Sequence, residues 1–196
     1  MHDNSKLLFA KYATGYFQPP CRVLEIGPDR FPSSYRAIVD SPQVQWDTID
    51  LQARAGLTHT ASGEYTFPLA DGSYDLVVSG QVLEHVRKVW VWIRELARVC
   101  RPGGHVITVN PVNWAYHLAP IDCWRIYPEG MKALYEEGGL EVLHSSWESL
   151  EPRSLLPRLP RPPDETRPSL LFRVARVLRY PLGRVYDTIT IGRKRP

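Results

Sequence analysis

The stretch Arg22 to Asp29, Arg-Val-Leu-Glu-Ile-Gly-Pro-Asp, constrains what this chain can fold into more than any other. Its apolar and β-branched residues up to Ile26 read as a buried strand, and Gly27-Pro28 ends that strand in a tight turn. Glycine there opens backbone angles closed to other residues and lets a ligand approach the main chain, while Glu25 offers an acceptor beside it. Val44 to Asp50 reads as a second strand, and it too ends on a carboxylate. An acid so placed in an open α/β sheet accepts from a ribose diol. Two strand ends carrying acids then face one crevice.

The rest of the chain alternates in the same way. Leu7, Leu8, Tyr12 and Tyr16 form a helical stripe before Pro19-Pro20, placed to cover the sheet edge or the mouth of the crevice. Ser33 to Val39 is a short helical candidate. Residues 63–75 lead through an Asp-Gly turn into the apolar strand Leu76-Val77-Val78-Ser79. Val89, Trp92, Ile93, Leu96 and Val99 keep helical spacing, and Arg101-Pro102-Gly103-Gly104 is expected to stop that helix before a strand from His105 to Asn110. A helix starting at Pro128 and ending at Gly138-Gly139 leads into a strand from Leu140 to His144. Residues 151–169 are dense in Pro and Arg. A helical stretch follows with Leu171, Val174 and Leu178 among Arg173, Arg176 and Arg179, and Tyr186 to Arg193 alternates like a final strand.

At 196 residues and 43% hydrophobic, the chain suits one substantial core and not two ordinary domains. Cys21, Cys100 and Cys123 are odd in number and lack Cys-x-x-Cys spacing, which argues against a disulfide framework and a zinc site and for a reducing cytoplasm. No cleavable signal pattern and no apolar run of about 18 residues is present, so a soluble or peripheral protein is expected. Residues 151–196 hold 11 Lys/Arg against 4 Asp/Glu, whereas the first 150 hold 13 against 17. A basic end of this kind can meet nucleic acid, an anionic membrane surface or a phosphorylated substrate, or form a solvated face.

Glu25, Gly27 and Asp50, followed by Gly63 to Ser79 and then Gln81-Val82-Leu83-Glu84-His85-Val86, together resemble the class I S-adenosylmethionine-dependent methyltransferases, and the last phrase their type 11 small-molecule group. The resemblance covers roughly residues 21–110. It departs from the family at Asp29 and Phe31, where further glycines are usual. It implies a Rossmann-like, mostly parallel seven-stranded sheet with helices on both faces and an antiparallel last strand. Residues 1–20 would then be an N-terminal helix, 21–110 the cofactor-binding half, 111–150 the acceptor loop with a helix and strand, 151–183 a basic insertion, and 184–196 the last strand.

The same resemblance implies S-adenosylmethionine as cofactor, and with no His/Asp cluster at metal spacing no metal is expected. It implies contacts from Glu25, Gly27, Asp50 and Leu51, from Glu64 and Tyr65 at the adenine, and from Ser79, Gly80 and Gln81 just past the fourth strand. His85 at the crevice is a candidate base for an attacking hydroxyl or amine, against a packing or capping role. The segment after Asn110 crowds polar and aromatic groups into an irregular stretch. There, His117 and Asp122 are candidates to activate an acceptor. Asn113, Trp114, Tyr116, Trp124 and Arg125 are candidates to bind it, with Arg125 as a clamp for carboxylate or phosphate. A similar run recurs in methyltransferases of glycan and natural-product biosynthesis, which implies O- or N-methylation of a sugar, glycosylated or lipid-linked intermediate. The rivals are a nucleic-acid methyltransferase and a cofactor-binding regulatory subunit without catalysis. Against the first, no base-stacking aromatics interleave the arginines.

Overall fold

The computed structural model describes residues 3–118, 120–151 and 185–196. They form a seven-stranded sheet in the order β3-β2-β1-β4-β5-β7-β6. The strands are β1 (Cys21–Ile26), β2 (Val44–Asp50), β3 (His59–Thr60), β4 (Tyr74–Gly80), β5 (Cys100–Pro111), β6 (Leu140–Glu148) and β7 (Asp187–Lys194). The first five run parallel, and β7 is antiparallel to both β5 and β6. The chain winds outward from β1 through β2 to β3, then returns to β4 on the other side of β1. That reversal opens a crevice at the carboxyl ends of β1 and β4, where open α/β sheets take their ligands.

Among the described residues four α-helices flank the sheet: α1 (Asp3–Tyr12), α2 (Ser34–Val39), α3 (Val89–Val99) and α4 (Pro128–Glu137). Leu8 and Phe9 of α1 and Tyr35 of α2 join Val23, Trp46, Leu76, Val78 and Ile107 in one core cluster. Phe9 stacks on Tyr35 with ring centroids 3.9 Å apart. On the opposite face Trp92, Ile93 and Leu96 of α3 and Met131, Leu134 and Tyr135 of α4 pack on Leu24, Val77 and Val106. Alternation along each buried strand sends successive side chains to the two clusters.

Two local expectations change. The buried side of α1 is Asn4, Ser5, Leu8 and Phe9, with Leu7 exposed, and the helix lies on α2, β5 and β7 and not over a sheet edge. Arg101 to Gly104 does not separate helix from strand. β5 starts at Cys100, straight after α3, and carries those residues as an irregularity between the pairs Tyr74–Cys100 and Leu76–His105. The connection from β6 to β7 contains the basic insertion expected over 151–183, which lies outside the described residues apart from Glu151.

Candidate functional site

A cavity of about 310 Å³ opens at the reversal between β1 and β4. Gly27, Asp50, Leu51, Glu64, Gln81 and His85 line it, with Ile26, Ile49, Phe67, Val82, Val86 and Trp92 as apolar wall. Gly27 takes φ 66°, and a Cβ there would stand 2.5 Å from Val82 Cγ2. Glycine is therefore required both by the turn and by the close approach of the Val82 segment. Its N–H donates to Ile49 O at 2.9 Å, which ties the turn to β2.

Asp50 ends β2 with Oδ1 accepting from Leu51 N at 2.7 Å and Oδ2 from Arg54 Nη2 at 3.0 Å. A carboxylate has about four acceptor positions, so capacity remains for a diol. Arg54 also donates to Pro28 O and sits over the Phe31 ring, bracing the turn after β1 against the end of β2. Asp29, at a position where glycine is usual in the resembled family, accepts from Ser34 N and Oγ at the start of α2.

The segment after β5 is latched to the turn at Leu83–His85. Cys123 N donates to Glu84 O and Trp124 Nε1 to Val86 O, each at 2.7 Å, and His85 Nδ1 donates to Ile121 O. His85 and His117 meet edge to face, 5.1 Å between centroids. His117 Nδ1 lies 3.2 Å from Ala115 O and 3.3 Å from Asp122 Oδ2. Two acceptors at Nδ1 place the ring proton there and leave a lone pair on Nε2. Burial holds His85 below the ordinary histidine range.

Residues 39–108 match a family profile described as a methyltransferase domain. An uncharacterized methyltransferase of Mycolicibacterium vanbaalenii is 37% identical over 101 residues, covering 47% of this chain and 40% of that protein. This chain therefore spans well under half the length of that relative. A SAM-dependent methyltransferase from Archaeoglobus fulgidus superposes with TM-score 0.64 at 18% identity, over 96% of this chain and 92% of that one. Phosphoethanolamine N-methyltransferase 2 of Haemonchus contortus, in complex with S-adenosyl-L-methionine, superposes with TM-score 0.63 at 14% identity, over 99% and 53%.

The fold is that of the S-adenosylmethionine-dependent methyltransferases, and residues 39–108 carry the methyltransferase-domain profile.

Within this fold, five of the nine residues expected at the cofactor line the cavity and four do not, for physical reasons. Gly27, Asp50, Leu51, Glu64 and Gln81 line it. Glu25 does not: Oε2 accepts from Trp46 Nε1 at 2.8 Å and from Ser33 Oγ, on the face covered by α1 and α2. Burial pushes its carboxyl up to about 7. Gly80 leaves room for Tyr35, whose hydroxyl would stand 2.2 Å from a Cβ, so its bare side serves core packing. Ser79 is buried with Oγ unpartnered and does not line the cavity. Tyr65 stands off it, its hydroxyl accepting from Lys88 N at 3.2 Å, whereas Glu64 Oε1 accepts from Arg87 N at 2.7 Å.

On the acceptor side, the clamp expected of Arg125 is already used. All five of its donors are engaged within the chain, on Asp122, Trp114 O, Ala115 O and Trp124 O. Asp122 is spent in the same network, accepting from Arg125 and from His117 N at 2.9 Å, with its side chain 1% exposed. Trp124 packs against the α3 core and is a latch. Asn113 Oδ1 accepts from Tyr186 N at 2.8 Å, and Tyr116 is 72% exposed. Sequence reasoning missed Arg54 and Glu84. Arg54 stands four residues after Asp50, which is a weak signal. Glu84 is buried beside His85, Oε1 3.8 Å from His85 Nε2 and Oε2 unpartnered.

Proposed function

We propose that this chain binds S-adenosylmethionine in the cavity between β1 and β4 and directs its methyl group to a small-molecule acceptor held under residues 111–127. The cavity itself carries the proposal, because one concave site gathers a glycine turn, a strand-end carboxylate, an amide and an apolar wall. These residues suit the cofactor part by part. Asp50 accepts from the ribose, Ile49, Leu51, Ala61 and Phe67 pack the adenine, Glu64 accepts at its edge, and Gly27 with Gln81 receives the amino-acid end. When bound, S-adenosylmethionine supplies an electrophilic methyl on its sulfonium.

The chain's own work is to align, exclude water and take a proton. In transfer to an oxygen or nitrogen acceptor, His117 Nε2 would take the acceptor's proton. Asp122 holds that ring in the required tautomer. His85, whose Nε2 lies 3.8 Å from the buried Glu84 Oε1, positions the segment through its Nδ1 proton on Ile121 O. With Arg125 saturated, the acceptor is recognised as a neutral or hydrogen-bond-donating group at this place, which fits a sugar hydroxyl or an amine better than a carboxylate.

Calorimetric titration with S-adenosylmethionine, followed by transfer of an isotope-labelled methyl into a fractionated cell extract, tests the proposal. Saturable binding and a labelled small molecule are expected. Binding without any labelled product supports a cofactor-binding regulator, and label in nucleic acid alone overturns the small-molecule acceptor.

A further inference from the structure

Gln81 holds φ at 59° without being glycine, a strained conformation that persists only where its surroundings enforce it. Its N–H donates to Val109 O at 2.8 Å, and its Nε2 donates to Asp187 Oδ1 at 3.0 Å. A carboxylate can only accept, so the amide nitrogen is turned to Asp187 and Oε1 away from it. That oxygen is buried and takes no hydrogen bond, although the residue lines the cavity. Burying an acceptor without a donor is costly, and a ligand that brings a donor removes the cost.

The orientation is fixed again one step back. Asp187 is fully buried, and its Oδ2 accepts from Asn4 Nδ2 at 2.8 Å. Asn4 in turn donates to Glu148 O at 3.0 Å and accepts from Leu150 N at 2.7 Å, so its own amide has one orientation. A buried polar chain thus runs from α1 through the start of β7 to the cavity. Gln81 follows β4, two strands along the sheet from Asp50 at the end of β2, or about 10 Å at ordinary strand spacing. With ribose on Asp50, the amino-acid end of the cofactor extends toward Gln81.

We propose that Asn4 and Asp187 are positioning residues that set the Gln81 amide so that its oxygen accepts from the ammonium of the cofactor's methionine part. This rests on the cofactor assignment made above. Asp187→Asn offers a donor of its own and lets the Gln81 amide turn over, presenting N–H to an ammonium in place of oxygen.

Two probes separate the possibilities: S-adenosylhomocysteine, which carries the ammonium, and 5′-methylthioadenosine, which lacks the amino acid. In calorimetry the unaltered chain binds both. Asp187→Asn is expected to weaken the first about tenfold or more, the size of one hydrogen bond to a charged group, and the second less than about twofold on the same reasoning. Adding Gln81→Glu, a carboxylate that accepts from the introduced amide and faces the ammonium, is expected to restore the first ligand. Gln81→Met leaves the Asn4–Asp187 contact alone and gives the same selective loss, should Asp187→Asn not fold. Equal weakening of both probes in these variants, or no weakening, overturns the positioning role. If the unaltered chain binds neither probe, the cofactor assignment fails and takes this inference with it.

Discussion

The two sides of the cavity are built from different material. Gly27, Asp50 and Gln81 stand at the ends of three parallel strands, whose backbones are fixed by the sheet, and their polar groups keep capacity for a ligand. Among its described residues the segment at 112–127 has no helix or strand, and it is ordered by its own side chains. Arg125 spends five donors on it and Asp122 both oxygens. Loops hold functional groups in place only by consuming some of them. Charge in a crowded loop is therefore a poorer sign of a ligand contact than charge at a strand end.

The sharpest test of this contrast is His117→Ala. If His117 is the group that the loop's network exists to aim, turnover falls by about 10²- to 10⁴-fold while cofactor affinity stays put, as for loss of a general base. Steady-state rates with calorimetry measure both. A change in turnover smaller than about tenfold returns the proton to water and leaves the loop as a cover.

Arg125→Met probes the network itself. It strands the Asp122 carboxylate, 1% exposed, and breaking a buried pair costs about 3–5 kcal/mol. A large drop in melting temperature is expected. A stable variant that instead raises the acceptor's Michaelis constant restores Arg125 as a substrate clamp.

What the sequence made legible follows the same division. Val44–Asp50, Pro128 as a helix start and Tyr186–Arg193 as a last strand have local causes, namely β-branched residues, a fixed proline φ and period-2 patterning, and the structure has these elements. The alternation predicts two unlike faces for the last strand, but β7 is buried on both. Gly27 and Asp50 sit where their strands end. Glu25 reads identically in sequence, but the pleat turns it to the other face, onto Trp46, 21 residues away in the chain. Gly80 answers to Tyr35, and Arg125 to Asp122 and three carbonyls. Those partners are set by packing, which no local pattern encodes.

On the strand-end side, Asp50→Ala is expected to weaken S-adenosylmethionine binding by about 1.5–3 kcal/mol, the worth of hydrogen bonds to a charged group, with little change in melting. Arg54 loses a partner too, but that pair is half-exposed and worth about 0–1 kcal/mol. An unchanged dissociation constant removes Asp50 from the site and erases the distinction between open strand ends and a spent loop.

The smallest effect concerns Glu84, where the two sides join. Its turn lines the cavity, its carbonyl latches Cys123, and its side chain is 2% exposed. Burial raises its carboxyl to about 8. Asp187 and Asp122 add to the rise, while its own backbone N–H and Arg125 oppose it. The unfolded carboxyl titrates near 4.5, so between about 4.5 and 8 the folded chain holds a proton that the unfolded chain has released. Stability from this group is then complete below about 4.5 and is lost as pH rises through about 8. Glu84→Gln keeps the shape and cannot ionise, so its melting temperature should fall less between pH 5.5 and 8.5 than the parent's. We expect a gap of about 1–2 kcal/mol at the alkaline end, less than full linkage because water reaching the carboxylate relieves part of the cost. Glu25, raised to about 7 in the same way, contributes equally to both chains and cancels in the difference. Parallel melting curves would mean that Arg125 keeps Glu84 ionised at neutral pH, and the loop would then share its charge with the cavity wall after all.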